Sequence, residues 1–141
     1  MSSDTEEIMF KVIKERRSIR TYDDRKVSKK MLERLMEAGQ WAPSPSNVQS
    51  WRFVAVQEAR QFETLKTLSP GFPKQATAAI VICSDQRDAQ GFEGTSKPIL
   101  VAEEAAMAGQ NMLLAAHALG LGTCAVASFS KGRDKCVAGA P

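Results

Sequence analysis

The chain has 141 residues, of which 43% are hydrophobic and 25% charged, a balance typical of a soluble globular protein. This length predicts a single domain over residues 1–141 with a core of its own. The acidic start MSSDTEEIMF lacks a signal-peptide pattern and no apolar run is long enough to span a membrane, so we expect a cytoplasmic protein without a membrane partner. Residues 11–34 carry ten lysines and arginines against four acidic residues, which favours an anionic partner such as a phosphorylated cofactor or nucleic acid.

The first half of the chain predicts two helices, a rigid loop and a strand. Apolar residues at helical spacing indicate a helix over residues 6–17, and Ser28 is a suitable N-cap for a second helix over 29–40. The stretch WAPSPSNVQSW (41–51) contains two prolines, which exclude both a helix and a central strand. The run RFVAVQ (52–57) then predicts a strand.

The second half predicts two further helices and two further strands. Helices are expected over residues 59–68 and, as the longest of the chain, over 99–119. The segment 76–84 is expected to end in a buried strand, and residues 123–128 are expected to form a third strand. Ser130 is a candidate cap for a last short helix. Few strands flanked by helices indicate the α+β class.

The long predicted helix is rich in alanine and apolar around most of its circumference. A helix of this kind must be buried nearly all round, and a chain of this size has little material to bury it. We therefore expect a homodimer, with the small residues Gly109 and Ala116 at the seam between two copies. The alternative is a central helix of a monomeric domain.

Two short segments carry the polar groups that suit a ligand site. The basic segment RRSIR offers guanidinium groups and a hydroxyl, which match phosphate oxygens. The serine, asparagine and glutamine side chains of the 41–51 loop suit the polar edge of a flat heterocycle, and Trp41 and Trp51 could add apolar support. Each segment taken alone also fits an ordinary surface patch or turn.

The cysteines and the single histidine do not form a metal-binding pattern. None of the three cysteines has C-x-x-C spacing, and Cys83 and Cys124 lie in apolar runs, so we expect buried thiols. His117 lies inside the long predicted helix and has no suitably spaced cysteine or carboxylate partners for a zinc site. We therefore expect no metal.

Three motifs, taken together and in this order, resemble the nitroreductase family of FMN-dependent oxidoreductases. They are RRSIRTYDD, APSPSNVQSWRFVAV and AEEAAMAGQNMLLAAHALGLGTCAV, and the resemblance covers roughly residues 8–130. It implies an α+β fold with a mixed sheet flanked by helices, and an intertwined homodimer around the helix 99–119. Two FMN sites are then expected at the interface between the copies.

The resemblance also implies which residues contact FMN. Arg16 and Arg17 are expected at the phosphate or ribityl chain, and Ser18 and Arg20 towards the isoalloxazine ring, with Arg20 as the catalytic candidate. A backbone amide around Ala127 and Ser128 is expected near flavin N5. The other subunit is expected to contribute five loop residues: Pro43, Ser44, Pro45, Ser46 and Asn47.

The implied activity is transfer of hydride from NAD(P)H through flavin N5 to a nitroaromatic, a quinone or a similar small organic acceptor. The alternatives are another flavin chemistry of the same superfamily, namely dehalogenation or substrate dehydrogenation, and a non-catalytic dimeric flavin-binding protein. Nucleic-acid binding is disfavoured, because few aromatic residues lie near the basic segment and no groove-reading motif occurs.

The sequence departs from the family pattern at three places. Ser50 stands where the pattern has proline, which predicts a looser loop, and Ser69 or Gln75 would have to replace an asparagine at the flavin pyrimidine edge. Family members also continue with a strand and a basic residue that reaches the FMN phosphate. Without that charge-assisted bond, FMN is expected to bind roughly ten- to a hundredfold more weakly.

Overall fold

The computed structural model describes residues 3–73, 75–84 and 96–128. The described elements are four α-helices, two strands and a short 3-10 turn: α1 (Ser3–Glu15), α2 (Lys29–Gln40), the 3-10 turn (Pro45–Asn47), β1 (Trp51–Val56), α3 (Ala59–Leu68), β2 (Ala79–Ser84) and α4 (Ser96–Ala118). β1 and β2 pair antiparallel, with Trp51 opposite Ser84 and Val56 opposite Ala79. Helices around a small sheet confirm the α+β class.

The second helix begins where its cap predicts. Ser28 has an extended backbone, with φ −70° and ψ 152°, and its side chain accepts a hydrogen bond from the Met31 amide at 3.3 Å. This satisfies one of the amide groups that a helix start leaves without an intrahelical partner. Leu32 and Leu35 are buried on the inner face of α2, as their spacing predicts.

The two central helices, α2 and α4, approach each other closely at a glycine. A Cβ atom on Gly39 would lie 2.3 Å from Cε of Met112, so only a glycine fits here without movement of Met112. In the same region, Nδ2 of Asn111 donates a hydrogen bond to the carbonyl of Ala38 at 3.2 Å. The close approach therefore joins α2 to the middle of α4.

A small hydrophobic cluster connects the helices to the sheet. Ala42, Trp51 and Ala108 are buried together, and Phe53 and Ile82 pack against them. Trp51 is 6% exposed and stacks on Phe53 with the ring centroids 6.2 Å apart. The cluster places the start of β1 and the end of α2 against the same part of α4.

The long helix α4 is buried along one face only within the chain. Its buried positions follow an i, i+4 row: Glu104, Ala108, Met112 and Ala116. Other positions of α4 are exposed, among them Ile99, Ala102, Glu103, Ala106 and Gln110. The expected all-round burial is therefore not achieved within one chain.

The expected place of Ala116 at a seam between copies is wrong. Ala116 has no exposed surface within the single chain, so it packs in the chain's own interior. A Cβ atom on Gly109 would lie 3.3 Å from Cδ1 of Ile82. Gly109 therefore faces β2 of its own chain. The small residues at both positions make room for the chain's own side chains.

The end of α4 is fixed by a glycine in the left-handed region. Gly120 has φ +75°, its amide donates to the His117 carbonyl at 3.0 Å, and the Leu121 amide donates to the Ala116 carbonyl at 2.9 Å. This pair of hydrogen bonds is the Schellman motif, which satisfies the last carbonyls of a helix. The predicted glycine stop at the end of the long helix is confirmed.

Two sequence predictions for strands need correction. Residues 123–128 form no strand; they make one parallel bridge, between Ser18 and Thr123. A strand requires a continuous ladder with a neighbour, and β1 and β2 pair with each other instead. The strand predicted within residues 76–84 is β2, but its residues are half-buried rather than buried.

Some predictions fall outside the described residues, namely Ser130 as a helix cap and Cys136. Cys83 and Cys124 are each partly buried rather than fully buried. Burial raises the pKa of the Cys83 thiol above its ordinary value. Among the described helices, none is both long enough and apolar enough to cross a membrane.

Candidate functional site

The basic segment lies against the turn that ends α4. Arg16, Arg17, Ile19 and His117 line a cavity of about 330 Å³ together with the turn 120–123. Sequence reasoning selected the two arginines but did not place His117 or the turn beside them. The cavity thus brings guanidinium groups and an imidazole to one place in the fold.

Backbone contacts hold the basic segment in this position. The Ile19 amide donates to the Thr123 carbonyl at 2.8 Å, and the Tyr22 hydroxyl donates to the Ile19 carbonyl at 2.5 Å. Gly122 allows the close approach, since a Cβ atom there would lie 3.0 Å from Cγ2 of Ile19. Residues 18–22 are therefore fixed relative to the end of α4.

The cationic groups of the segment face solvent to different degrees. Arg17, Ser18 and Arg20 are exposed, whereas Arg16 is partly buried. Nη1 of Arg17 donates to the carbonyls of Lys14 at 2.5 Å and Arg16 at 2.8 Å, which turns this side chain back over the end of α1. Guanidinium groups in such a cluster suit a phosphate, because each offers N–H donors in a planar fork.

Tyr22 connects this segment to residue 124. Burial is the main cause that raises the pKa of the Tyr22 phenol, the nearby Cys124 thiol raises it further, and the Arg20 guanidinium opposes the shift. These influences place Tyr22, Cys124 and Arg20 in one electrostatic neighbourhood.

The proline-rich loop has an unusual backbone. Ser46, Asn47 and Gln49 have positive φ values of 50°, 56° and 53°, although none of them is glycine. Such conformations are uncommon for residues with a side chain and cost free energy, so they persist only where the surroundings fix them. Here the Gln49 amide donates to Oγ of Ser44 at 3.0 Å, and Nε2 of Gln49 donates to Oδ1 of Asn47 at 2.7 Å.

The loop residues that were predicted to bind a cofactor lie at or near the surface. Pro43, Ser46 and Asn47 are exposed, and Ser44 and Pro45 are partly buried. Their polar groups are thus accessible to a ligand or to another chain. In the described residues, hydrogen bonds join the loop to its own residues, to Gly39 of α2 and to Glu104 of α4, and no hydrogen bond joins the loop to the basic segment.

The two tryptophans that bound the loop differ in environment. Trp41 is 81% exposed, whereas Trp51 is 6% exposed and belongs to the core. Trp51 also borders a cavity of about 550 Å³ together with Gln49 and Phe53, so its predicted support of a ligand stays a prediction. Trp41 is the more accessible of the two rings.

Ala127 and Ser128 are exposed at the end of the described chain. The Ser69 hydroxyl donates to the Ser128 carbonyl at 2.8 Å, and Ser69 itself is 6% exposed. Its hydroxyl therefore anchors the segment 123–128 from inside, and the side chain lies too deep to offer an exposed edge to a ligand. Gln75, the other candidate for that role, is exposed.

Sequence reasoning missed a buried polar pair behind the loop. The Ser50 hydroxyl donates a hydrogen bond to Oε1 of Glu104, and these side chains are 0% and 2% exposed. The available signal was a glutamate in the otherwise apolar i, i+4 row of α4, together with the serine in place of the pattern's proline. Neither feature identifies the other, since the two residues are far apart in the sequence.

The described residues thus define an α+β protein with a cavity at the end of its longest helix, where Arg16 and Arg17 lie beside Glu15, and a strained polar loop at the start of its sheet. A family model gives this class a name: the Nitroreductase family matches residues 13–69 and 58–139. The chain belongs to the nitroreductase family, which confirms the resemblance that its three motifs carry.

Known relatives agree in sequence and in fold. A protein of Methanothermobacter thermautotrophicus, provisionally named NADH dehydrogenase/NAD(P)H nitroreductase, is 34% identical over 116 residues, which cover 81% of this chain and 58% of the relative. A Bacillus subtilis protein named as an NAD(P)H FMN reductase is 30% identical over 129 residues, which cover 82% of this chain and 52% of the relative.

A solved structure from Desulfovibrio desulfuricans, provisionally named a nitroreductase and in complex with FMN, has a TM-score of 0.70 and 32% identity. The match covers 79% of this chain and 63% of that one. The nitroreductase fold is therefore confirmed. The chain spans between half and two thirds of the length of these three proteins.

Proposed function

We propose that this chain binds FMN and belongs to an NAD(P)H-dependent flavin oxidoreductase. The observation that carries the proposal is the cavity where Arg16 and Arg17 meet the turn 120–123. The donor set fits FMN, because guanidinium groups suit its phosphate and the serine and amide groups of the 44–49 loop suit the polar edge of its ring. Membership of the nitroreductase family and the FMN complex of the Desulfovibrio desulfuricans protein support the same assignment.

The residues divide into four roles. Arg16 and Arg17 bind the phosphate or ribityl chain, Ser18 and Arg20 are directed towards the ring, and Ala127 and Ser128 offer backbone amides to it. The loop residues Pro43, Ser44, Pro45, Ser46 and Asn47 close the site of a second copy. This division agrees with the absence of hydrogen bonds between loop and basic segment in the described part of one chain.

Bound FMN supplies the redox chemistry: it accepts hydride from NAD(P)H and passes it to a small organic acceptor, such as a nitroaromatic or a quinone. The chain itself binds and orients the cofactor. Arg20 places a fixed positive charge near the ring, where it stabilises the negative charge that develops on reduction. This is the reason to regard Arg20 as the catalytic residue.

The proposed assembly is a homodimer around α4 and α1. Apolar side chains of α1 are largely exposed in the single chain, with Ile8 at 64%, Met9 at 54% and Phe10 at 51%, and Ile99 on α4 is 60% exposed. Apolar surface of this kind favours association, and a second copy is the simplest partner because it also supplies the loop to each site.

The test is an absorbance titration of the purified chain with FMN, followed by NADH or NADPH without oxygen. We expect FMN to bind, its spectrum to change on binding, and the bound flavin to bleach with at least one nucleotide. Binding without bleaching would favour a non-catalytic flavin-binding protein, and no binding would contradict the proposal.

A matched pair of variants separates a specific phosphate site from general positive charge. Replacing Arg16 and Arg17 with alanine should abolish most FMN binding. Replacing Lys29 and Lys30 with alanine removes the same charge from the exposed start of α2 and should leave FMN binding close to wild type. Equal losses in both variants would show that only overall charge matters.

A further inference from the structure

We propose that Glu104 is a positioning residue, which acts through Ser50 to hold the 44–49 loop in the conformation that binds the cofactor. The inference rests on the proposed function, since it assigns the loop to an FMN site. Glu104 does not itself reach the surface on which a ligand would lie, because it is 2% exposed. Its effect on a cofactor must therefore pass through the loop.

Ser50 and Glu104 form a buried pair. The Ser50 hydroxyl donates to Oε1 of Glu104, Ser50 is fully buried, and the two residues belong to different elements of the fold. Among the described residues, no buried side-chain nitrogen or oxygen lacks a hydrogen-bond partner. The pair is thus a satisfied polar contact inside the fold, between the end of the loop and the middle of α4.

The backbone directly before Ser50 is strained. Three of the four residues 46–49 have positive φ, and a free loop would relax to more common backbone angles. The start of the loop is fixed, since Ala42 is buried and its amide donates to the Gly39 carbonyl at 3.1 Å. Ser50 provides the corresponding fixed point at the end, and the strained residues lie between the two.

The carboxylate of Glu104 lies in the interior, where the loss of its hydration costs free energy. Glu104 occupies the same i, i+4 row as Ala108 and Met112, where an apolar side chain would pack without loss of hydration. Replacing both partners of a buried hydrogen bond with apolar groups of the same shape can be nearly neutral or stabilising. A glutamate here is therefore poorly explained by stability alone, and holding Ser50 accounts for it.

The test compares variants that keep or remove the hydrogen-bond acceptor. Glu104→Leu removes it at similar volume, Glu104→Gln keeps a side-chain oxygen that accepts from Ser50, and Ser50→Ala removes the donor. Glu103→Leu, at the exposed neighbouring glutamate, is the matched control. FMN titration should show that Glu104→Leu and Ser50→Ala weaken binding about tenfold or more. Glu104→Gln and the control should stay close to wild type.

Two further readouts separate positioning from a loss of the fold. In urea unfolding, the double variant Glu104→Leu with Ser50→Ala, which removes both partners of the buried hydrogen bond, should be close to the wild type in stability, although it binds FMN more weakly. In a Trp41→Phe background, Trp51 is the remaining tryptophan, so iodide quenching of its fluorescence reports release of the loop end without any cofactor. Quenching should increase in Glu104→Leu and Ser50→Ala, and it should not increase in Glu104→Gln.

Wild-type affinity for FMN in both Glu104→Leu and Ser50→Ala would overturn the inference. So would a loss in Glu104→Gln as large as in Glu104→Leu, because the charge and not the acceptor would then matter. If Glu104→Leu fails to fold, Ser50→Ala decides by the same criteria. If the wild type binds no FMN, the proposed function fails, and the quenching of Trp51 alone decides whether Glu104 holds the loop.

Discussion

Arg16 and Arg20 lie in one short segment but in different surroundings. Arg16 is partly buried and lines the cavity at the end of α4, whereas Arg20 is exposed and shares an electrostatic neighbourhood with Tyr22. A side chain that binds the phosphate stabilises bound flavin equally in its oxidised and reduced states. A positive charge near the ring stabilises mainly the negative charge that develops as the ring is reduced. The two arginines should therefore affect different steps.

We expect Arg16→Ala to weaken FMN binding with little effect on the rate of reduction of the bound flavin. Loss of a charge-assisted hydrogen bond of ~1.5–3 kcal/mol corresponds to roughly ten- to a hundredfold in affinity. Arg20→Ala should do the reverse and slow reduction more than it weakens binding. FMN titration and stopped-flow reduction of saturated protein measure the two quantities. Equal effects of both variants on both quantities would refute this division of roles.

Tyr22 makes the free energy of unfolding depend on pH in the alkaline range. Folding raises the pKa of this phenol above its ordinary 10.0, mainly by burial. The folded chain therefore holds the proton more tightly than the unfolded chain. This difference in pKa contributes to the stability of the folded chain. The contribution is present below about pH 10 and is lost as the pH rises through the folded-state pKa of Tyr22.

Tyr22 is the only tyrosine of the chain, so phenolate absorbance follows it directly. We expect the native midpoint to lie above that of the urea-unfolded chain. In Tyr22→Phe, the free energy of unfolding should fall less steeply above about pH 10 than in the wild type. A native midpoint at or below the unfolded one would contradict the burial of this side chain.

At the residue scale, the sequence predicted residues that belong to short motifs. It did not predict contacts between residues that lie far apart in the sequence. Arg16 and Arg17 stand in a recognisable segment, and the structure places them in a cavity. The Ser50–Glu104 contact joins two residues that no local pattern relates, because it depends on how the start of β1 packs against α4. The burial of Trp51 could not be chosen over exposure for the same reason, since alternation along a strand does not say which face packs inwards.

At the scale of elements, the close approach of α2 and α4 depends on Gly39. Gly39→Leu should lower the free energy of unfolding by ~1–3 kcal/mol, because the added side chain meets Met112 and Phe53. The cost should shrink when Met112→Ala makes room, although that change is itself destabilising. Urea unfolding of the wild type, both single variants and the double variant gives the coupling between the sites. Strictly additive effects would contradict a direct contact.

Element boundaries were predictable where capping or stop signals are local. The bounds of α2 and α3 match the sequence prediction, because Ser28 caps one helix and a proline-containing segment follows the other. The segment 123–128 was wrongly predicted as a strand. Its apolar residues satisfy strand propensity, but its hydrogen bonds go to different partners, to Ile19 at Thr123 and to Ser69 at Ser128.

At the scale of the whole molecule, apolar side chains of α1 and α4 are exposed in the single chain. The basic segment and the loop are each held rigidly, but no hydrogen bond in the described residues joins them. A homodimer in which each copy supplies one of the two parts would explain both features. The fold of one chain follows from its own sequence pattern, whereas the proposed pairing of two copies is supported by the apolar surface that one chain leaves exposed.

The most direct measurement of the central claim is FMN binding by a mixture of two defective variants. One carries Arg16→Ala with Arg17→Ala, and the other carries Ser46→Ala with Asn47→Ala, so each pure variant lacks one part of every site. After exchange of subunits, half of the dimers are mixed and each mixed dimer has one intact site. The mixture should therefore recover about a quarter of the wild-type binding capacity at wild-type affinity. No recovery after verified exchange, with each pure variant folded, would contradict an FMN site built from two copies of this chain.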